Sequence, residues 1–149
     1  TLLPMLDELV KMTELDLDTI DAIAVAAGPG SFTGLRIGSA TAKGLGLALK
    51  KPLVEIPTVD ALAYNLYDSR ALICPIMDAR RSQVYTGIYR FQEHKLVTVE
   101  AQMAVPMAEM IEKLNARGEE VVFLGDGVPV FGKMIQENLK VPYSFAPAM

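Results

Sequence analysis

Residues Asp21–Leu49 read DAIAVAAGPGSFTGLRIGSATAKGLGLAL. The apolar run Ala22–Ala27 has no alternation and predicts a strand buried on both faces, although the pattern alone also suits a buried helical turn. Gly28, Pro29 and Gly30 stop it. Ser31 or Thr33 then supplies a helix cap, its side-chain oxygen accepting from a free backbone N–H. From about Leu35 to Leu49 the spacing predicts a helix with two ladders of small residues at intervals of four. Gly34, Gly38, Ala42 and Gly46 form one; Ala40, Gly44 and Ala48 form the other. Residues four apart share a helix face. An interior glycine costs about 1 kcal/mol relative to alanine, so Gly38, Gly44 and Gly46 together cost roughly 3 kcal/mol. Close approach of another helix or strand is the natural compensation. This helix is read as one built to be touched at short range.

The same glycine turn invites a nucleotide reading, because a strand, a glycine-rich loop and a helix N-terminus can hold phosphate. The spacing fails both common patterns. The Walker motif needs Gly-Lys-Ser/Thr five residues after its first glycine, and Gly28 and Gly30 are followed there by Thr33 and Leu35. The dinucleotide pattern GxGxxG fails because Thr33 stands where the third glycine belongs. Tight packing is the preferred reading of the turn.

Outward from this stretch, Leu2–Lys11 (LLPMLDELVK) reads as an amphipathic helix, with Leu2, Leu6, Leu9 and Val10 on one stripe that serves either as a core face or as an interface. Pro52–Ile56 is a short strand, and Thr58 is expected to cap a helix reaching about Tyr67. Asp68–Arg70 marks a junction between two lobes, 1–69 and 70–149. The second lobe opens with strands at Ala71–Met77 and Gln83–Phe91, joined by the polar turn Asp78-Ala79-Arg80-Arg81-Ser82. Tyr85, Tyr89 and Phe91 fall on one face of the second strand; Val84, Thr86 and Ile88 fall on the other. Strand Leu96–Met103, a helix opened by Pro106 and closed near Arg117 by Gly118, strand Val121–Leu124 and helix Val130–Leu139 follow. Val141–Met149 gives no clear ending for a domain. Gly28 to Gly125 and Gly30 to Gly127 are the same 97-residue step, and helix, strand, glycine turn and helix recur in order around both. A duplicated α/β lobe is therefore the preferred architecture.

The 149 residues allow one ordinary domain or two small lobes. Hydrophobic residues at 51% against 21% charged argue for a packed core. No apolar run is long enough to span a membrane, and no signal peptide is visible at the start. A formal net charge of −4 does not suit a protein that grips phosphate backbones by itself. The single cysteine, Cys74, excludes an intrachain disulfide and makes a reducing, cytoplasmic location the expectation. One cysteine and one histidine, His94, cannot supply a usual zinc site, so no metal is expected; no cofactor is assigned either. No Ser/His/Asp or Cys/His arrangement can be argued, so no catalytic residue is assigned. Cys74 is read as a core residue and His94 as exposed. Asp78, Arg80 and Arg81 form either a solvated turn or a polar contact to a partner or ligand. Arg36 lies where the helix dipole disfavours a cation, which points to an external acidic partner.

GPGSFTGLRIG (Gly28–Gly38), the helix that follows it, DARRSQVYTGIY (Asp78–Tyr89) and LLPMLDELV together resemble the bacterial TsaB (YeaZ) family of tRNA threonylcarbamoyladenosine biosynthesis proteins. The resemblance implies duplicated α/β lobes of the actin, sugar kinase and Hsp70 type, with a ribonuclease H-like central mixed sheet flanked by helices. Gly28, Gly30, Ser31, Thr33 and Gly34 are its signature turn. It implies a non-catalytic subunit that binds and activates a catalytic paralogue, TsaD, beside an ATPase, TsaE, to place threonylcarbamoyl on adenosine 37 of tRNA. Contact with tRNA would come only through the complex, and a homodimer would use the same surface. Leu2, Leu6, Leu9, Val10, Arg36, Ile37, Ala40, Thr41, Gly44 and Leu45 are the residues assigned to that surface. The family has strands ahead of Thr1 and a part beyond Met149, so a fragment or processed product is expected. Two other functions are carried as alternatives: an ATP-dependent phosphotransferase or hydrolase of the same fold, with Asp78 and Asp126 as candidate Mg²⁺ carboxylates, and an M22-type glycoprotease, which no residue here supports.

Overall fold

A computed structural model describes residues 2–147. The chain divides into two compact units, Thr1–Thr58 and Val59–Met149. In the first, helix α1 (Leu2–Thr13) leads through a 3₁₀ turn at Leu17–Thr19 to strand β1 (Ile23–Gly28), helix α2 (Phe32–Leu49) and strand β2 (Leu53–Pro57). β1 and β2 pair in parallel, Ile23 opposite Leu53 and Ala26 opposite Ile56, and α2 is the crossover that a parallel pair requires. Ser31, not Thr33, caps α2: its Oγ accepts the Gly34 N–H at 3.3 Å. The helix therefore starts at Phe32, three residues before the expected Leu35. At the other end Lys50 closes it in the left-handed conformation.

The expectation that Ala22–Ala27 is buried on both faces is corrected. Ile23 and Val25 are half-buried while Ala24, Ala26 and Ala27 are exposed. Among the described residues β1 has β2 as its one hydrogen-bonded neighbour and α2 against it, so the alternation is that of a strand covered on a single face.

The second unit is built on a five-stranded mixed sheet. Strands β3 (Leu72–Asp78), β4 (Gln83–Gln92) and β5 (Lys95–Pro106) form an antiparallel meander; helix α4 (Met107–Arg117), strand β6 (Val121–Leu124), helix α5 (Val128–Asn138) and strand β7 (Tyr143–Phe145) follow. The order across the sheet is β5-β4-β3-β6-β7, with β6 parallel to both β3 and β7. One face buries Cys74, Ile76, Val84 and Ile88 under Met110 and Leu114 of α4 and Phe131 and Ile135 of α5. The other buries Ile73 and Tyr89 under Val59 and Ala63 of helix α3 (Thr58–Ala63). The two faces of β4 are divided as its alternation predicts.

That packing of α3 is why the units part at Thr58 and Val59 and not at the Asp68–Arg70 junction. The helix expected to reach Tyr67 gives way to a 3₁₀ turn at Tyr64–Leu66, and Thr58 does not cap it, since its Oγ1 has no hydrogen-bond partner. Further in, the Tyr89 hydroxyl donates to Asp60 Oδ1 at 2.6 Å and fastens α3 to β4. β7 was not expected, and residues 148–149 of the unassigned Val141–Met149 lie outside the described residues.

The duplication extends over four elements. α1-β1-α2-β2 and α4-β6-α5-β7 run in the same order, each with a parallel strand pair bridged by a helix. The two glycines 97 residues apart share a backbone conformation, with φ of +100° at Gly28 and +106° at Gly125.

Glu100 of β5 ties α4 to the sheet by accepting from Arg117 at 2.8 Å and Lys113 at 3.3 Å. The Arg117 hydrogen bond, with Lys113 beside it, holds the Glu100 carboxyl below its usual range against the opposing effect of partial burial. A carboxyl whose folded pKa is depressed stabilises the fold above its unfolded value and ceases to do so as pH falls through the folded one. Glu100→Gln should therefore cost on the order of 1 kcal/mol at pH 7. Denaturation midpoints taken down to about pH 2 should converge for the two proteins; a gap that persists there would place the role of Glu100 elsewhere.

Candidate protein-docking surface

At about 100° per residue the two ladders of α2 fall on opposite sides of the helix. Ala42 and Gly46 are buried and Gly38 half-buried, and a Cβ on Gly46 would stand 3.0 Å from the Leu53 side chain and 3.1 Å from the Lys51 carbonyl. This ladder is the one that meets the unit's own sheet. Ala40, Gly44 and Ala48 are exposed, and a Cβ on Gly44 would meet nothing within 4 Å. Ile37 (52% exposed) and Leu47 (83%) stand beside them. Close approach therefore explains Gly46 from within the chain and, among the described residues, leaves Gly44 without such a neighbour.

The stripe assigned on α1 is divided as well. Leu2, Leu6 and Val10 are half-buried, whereas Leu9 is exposed and joins Leu3, Met5 and Met12, which the sequence reading omitted. α1 and α2 touch. Thr41 and Leu45 are half-buried; Arg36, Ile37, Ala40 and Gly44 face solvent. Phe32 (71% exposed) and Leu47 complete the outward apolar set. Helical spacing from Ala40 and Gly44 could have found Leu47; Phe32 was hidden by starting the helix too late. Exposed large apolar side chains gathered on two neighbouring helices are the usual sign of an interaction site.

The signature turn is closed by packing. Gly28 is buried, the Leu35 side chain lies 3.2 Å from where a Gly28 Cβ would be, and Ser31 already occupies the Gly34 N–H. In the β3–β4 turn, Asp78 accepts from the Arg80 backbone at 2.8 Å and pairs with its guanidinium at 3.2 Å. Arg80, Arg81 and Ser82 are successive residues of positive φ. Asp126 accepts the Asp78 backbone N–H at 3.2 Å, so the two candidate residues are neighbours, with the Asp78 carboxylate engaged by Arg80 and the Asp126 carboxylate by the Asp78 backbone. His94 is exposed yet partnered, with Nδ1 3.0 Å from Asp68 Oδ2 and its ring stacked on Tyr67. Cys74 lies fully buried 3.4 Å from the Thr86 hydroxyl, and burial pushes its thiol up to about 12; such a thiol is a packing group. Among the described residues no three His, Cys, Asp or Glu side chains cluster to hold a metal, and no helix is long and apolar enough to cross a membrane.

A family model described as TsaD: tRNA N6-adenosine threonylcarbamoyltransferase matches residues 1–148. The chain belongs to this family. Within the TsaD family it is similar to the tRNA threonylcarbamoyladenosine biosynthesis protein TsaB of Bacillus subtilis, 36% identical over 137 residues that make up 92% of this chain and 60% of that protein. It is likewise similar to the TsaB of Escherichia coli, 31% identical over 129 residues, 85% of this chain and 56% of that one. The solved structure of YeaZ from Pseudomonas aeruginosa superposes with a TM-score of 0.79 at 27% identity, covering 99% of this chain and 68% of that one. The chain thus spans a little under two thirds of the length of these TsaB relatives. The α/β architecture, with its mixed sheet flanked by helices, is the duplicated actin, sugar kinase and Hsp70-like fold that the sequence reading expected.

Proposed function

We propose that this TsaD-family chain is a non-catalytic subunit of the machinery that makes N6-threonylcarbamoyladenosine in tRNA, and that it docks and activates the catalytic paralogue TsaD through the outer faces of α1 and α2. The observation that carries this reading is the exposed Ala40-Gly44-Ala48 ladder with Ile37 and Leu47 beside it, a helix face without a bulky side chain at its centre and without a partner among the described residues. The names of the TsaB relatives supply the pathway. In this reading the ATPase TsaE and the tRNA join the assembly around TsaD, the complex works in the cytoplasm, and a second copy of the chain competes for the same face.

Gly44→Trp tests the reading, because among the described residues nothing lies within 4 Å of where its Cβ would stand. The variant should keep its helical circular dichroism and thermal midpoint and lose at least about tenfold in affinity for TsaD, as a bulky group in a close-packed interface does. Unchanged binding, measured by light scattering and calorimetry, would reject the surface.

A second reading, an ATP-using phosphotransferase of the same fold, draws on the placing of Asp126 beside Asp78, whose backbone N–H it accepts. Calorimetry of the chain alone with ATP and Mg²⁺ separates the two: tight binding without TsaD favours the enzyme.

A further inference from the structure

The outer face of α2 has an electrostatic border that its apolar ladder does not explain. α2 carries Arg36 and Lys43 and no carboxylate, and none occurs anywhere from Ala22 to Val54, a stretch that also holds Lys50 and Lys51. Of this unit's acidic side chains, Asp7, Glu8, Glu14, Asp16, Asp18 and Asp21 lie ahead of that stretch and Glu55 follows directly after it. In a protein of net charge −4 that segregation makes α2 a local exception. Among the described residues neither Arg36 nor Lys43 has a carboxylate within ion-pairing distance.

Arg36 and Lys43 are seven residues apart, two helical turns or about 10 Å along one side of α2. They flank a shallow hollow of about 420 Å³ lined by Phe32, Leu35, Arg36, Ser39, Ala40 and Lys43. The Arg36 guanidinium carbon sits 4.5 Å from the centre of the exposed Phe32 ring, which holds the charge at the rim of the hollow by cation–π attraction. Lys43 stands at the other rim. On the helix circumference this pair adjoins the strip of Ala40, Gly44 and Leu47. Two unpaired cations beside an apolar strip form the rim-and-core arrangement of a protein interface, in which charge selects the partner and apolar contact binds it.

We infer that the partner on this face presents an acidic amphipathic helix, whose carboxylates meet Arg36 and Lys43 while its apolar side chains lie along Ile37, Ala40 and Gly44. The inference rests on the docking proposed above and specifies the chemistry of what docks. The probe is full-length TsaD from the same organism, titrated against wild type, Arg36→Glu/Lys43→Glu and Gly44→Trp at about 50 mM and about 500 mM salt. Both substituted cations are exposed, so the double variant should retain the wild-type fold by circular dichroism. Wild-type affinity should fall several-fold with salt, and the double reversal should weaken low-salt binding about tenfold or more with little salt dependence left. If the reversal leaves the affinity within about twofold while Gly44→Trp abolishes binding, the surface stands and the acidic partner is wrong. If wild type does not bind, or binds as well with Gly44→Trp, the docking reading fails and takes this inference with it.

Discussion

Gly125→Ala should cost the second unit about 3 kcal/mol, from a backbone conformation rarely open to L residues together with a rigid clash. Gly125 has φ +106°, and a Cβ there would run into the carbonyl oxygen of Ile76. Ile76 is fully buried in β3 at the middle of the sheet, and its carbonyl already accepts the Gly127 N–H at 3.0 Å. The obstacle is backbone in a central strand, so it has nowhere to go. Gly118→Ala is the control: φ is +70° and nothing lies within 4 Å, so it should cost only about 1 kcal/mol. The chain has no tryptophan, so denaturant curves are best read by far-ultraviolet circular dichroism. Equal losses for the two variants would show that the clash with Ile76 is relieved by movement of the turn.

The second large effect is expected at Gly87, in the middle of β4. A Cβ there would stand 2.6 Å from the Tyr89 hydroxyl and 2.8 Å from its ring. Tyr89 lies over the glycine on the same face of the strand, fully buried, with its hydroxyl fixed to Asp60. Gly87→Ala must therefore push the ring and break the hydrogen bond that fastens α3, at a cost of about 2–3 kcal/mol. Tyr89→Phe alone removes the bond and should cost about 1–2 kcal/mol. Introduced on top of Tyr89→Phe, Gly87→Ala should cost less than in the wild type, because the hydroxyl contact and the bond are already gone. Strict additivity would disprove the linkage. Burial first, and then donation to Asp60, push the Tyr89 hydroxyl well above the ordinary tyrosine range. Its contribution to stability is therefore complete below the usual tyrosine pKa and declines only as pH rises beyond it.

Much of this was legible where a residue type has one physical use. The shared 97-residue step pointed to a duplication because one of its two pairs, Gly28 and Gly125, occupies backbone space that other residues avoid. The alternation of Val84, Thr86 and Ile88 against Tyr85, Tyr89 and Phe91 separated the two faces of β4. The ladders on α2 pointed to short-range contact, yet only their placement showed that Gly46 is used inside the chain and Gly44 is not. What escaped depends on pairing across distance. β7 has three residues and exists by lying beside β6; the Asp60–Tyr89 bond joins residues 29 apart; and the exposure of β1 depends on how many neighbours it has, which its composition cannot state. Phe32 was missed for a smaller reason, the choice between two hydroxyls as the cap.

The burial of Cys74 has a practical consequence for testing the α2 surface. It is the chain's one cysteine, and at neutral pH its thiol is both out of reach and protonated. A cysteine introduced at Lys43 or Ala48 would be the single reactive thiol in the folded chain, so a maleimide dye would report from that point alone. Fluorescence from such a label would test whether TsaD, or a second copy, arrives at this face on native protein without first removing the wild-type cysteine.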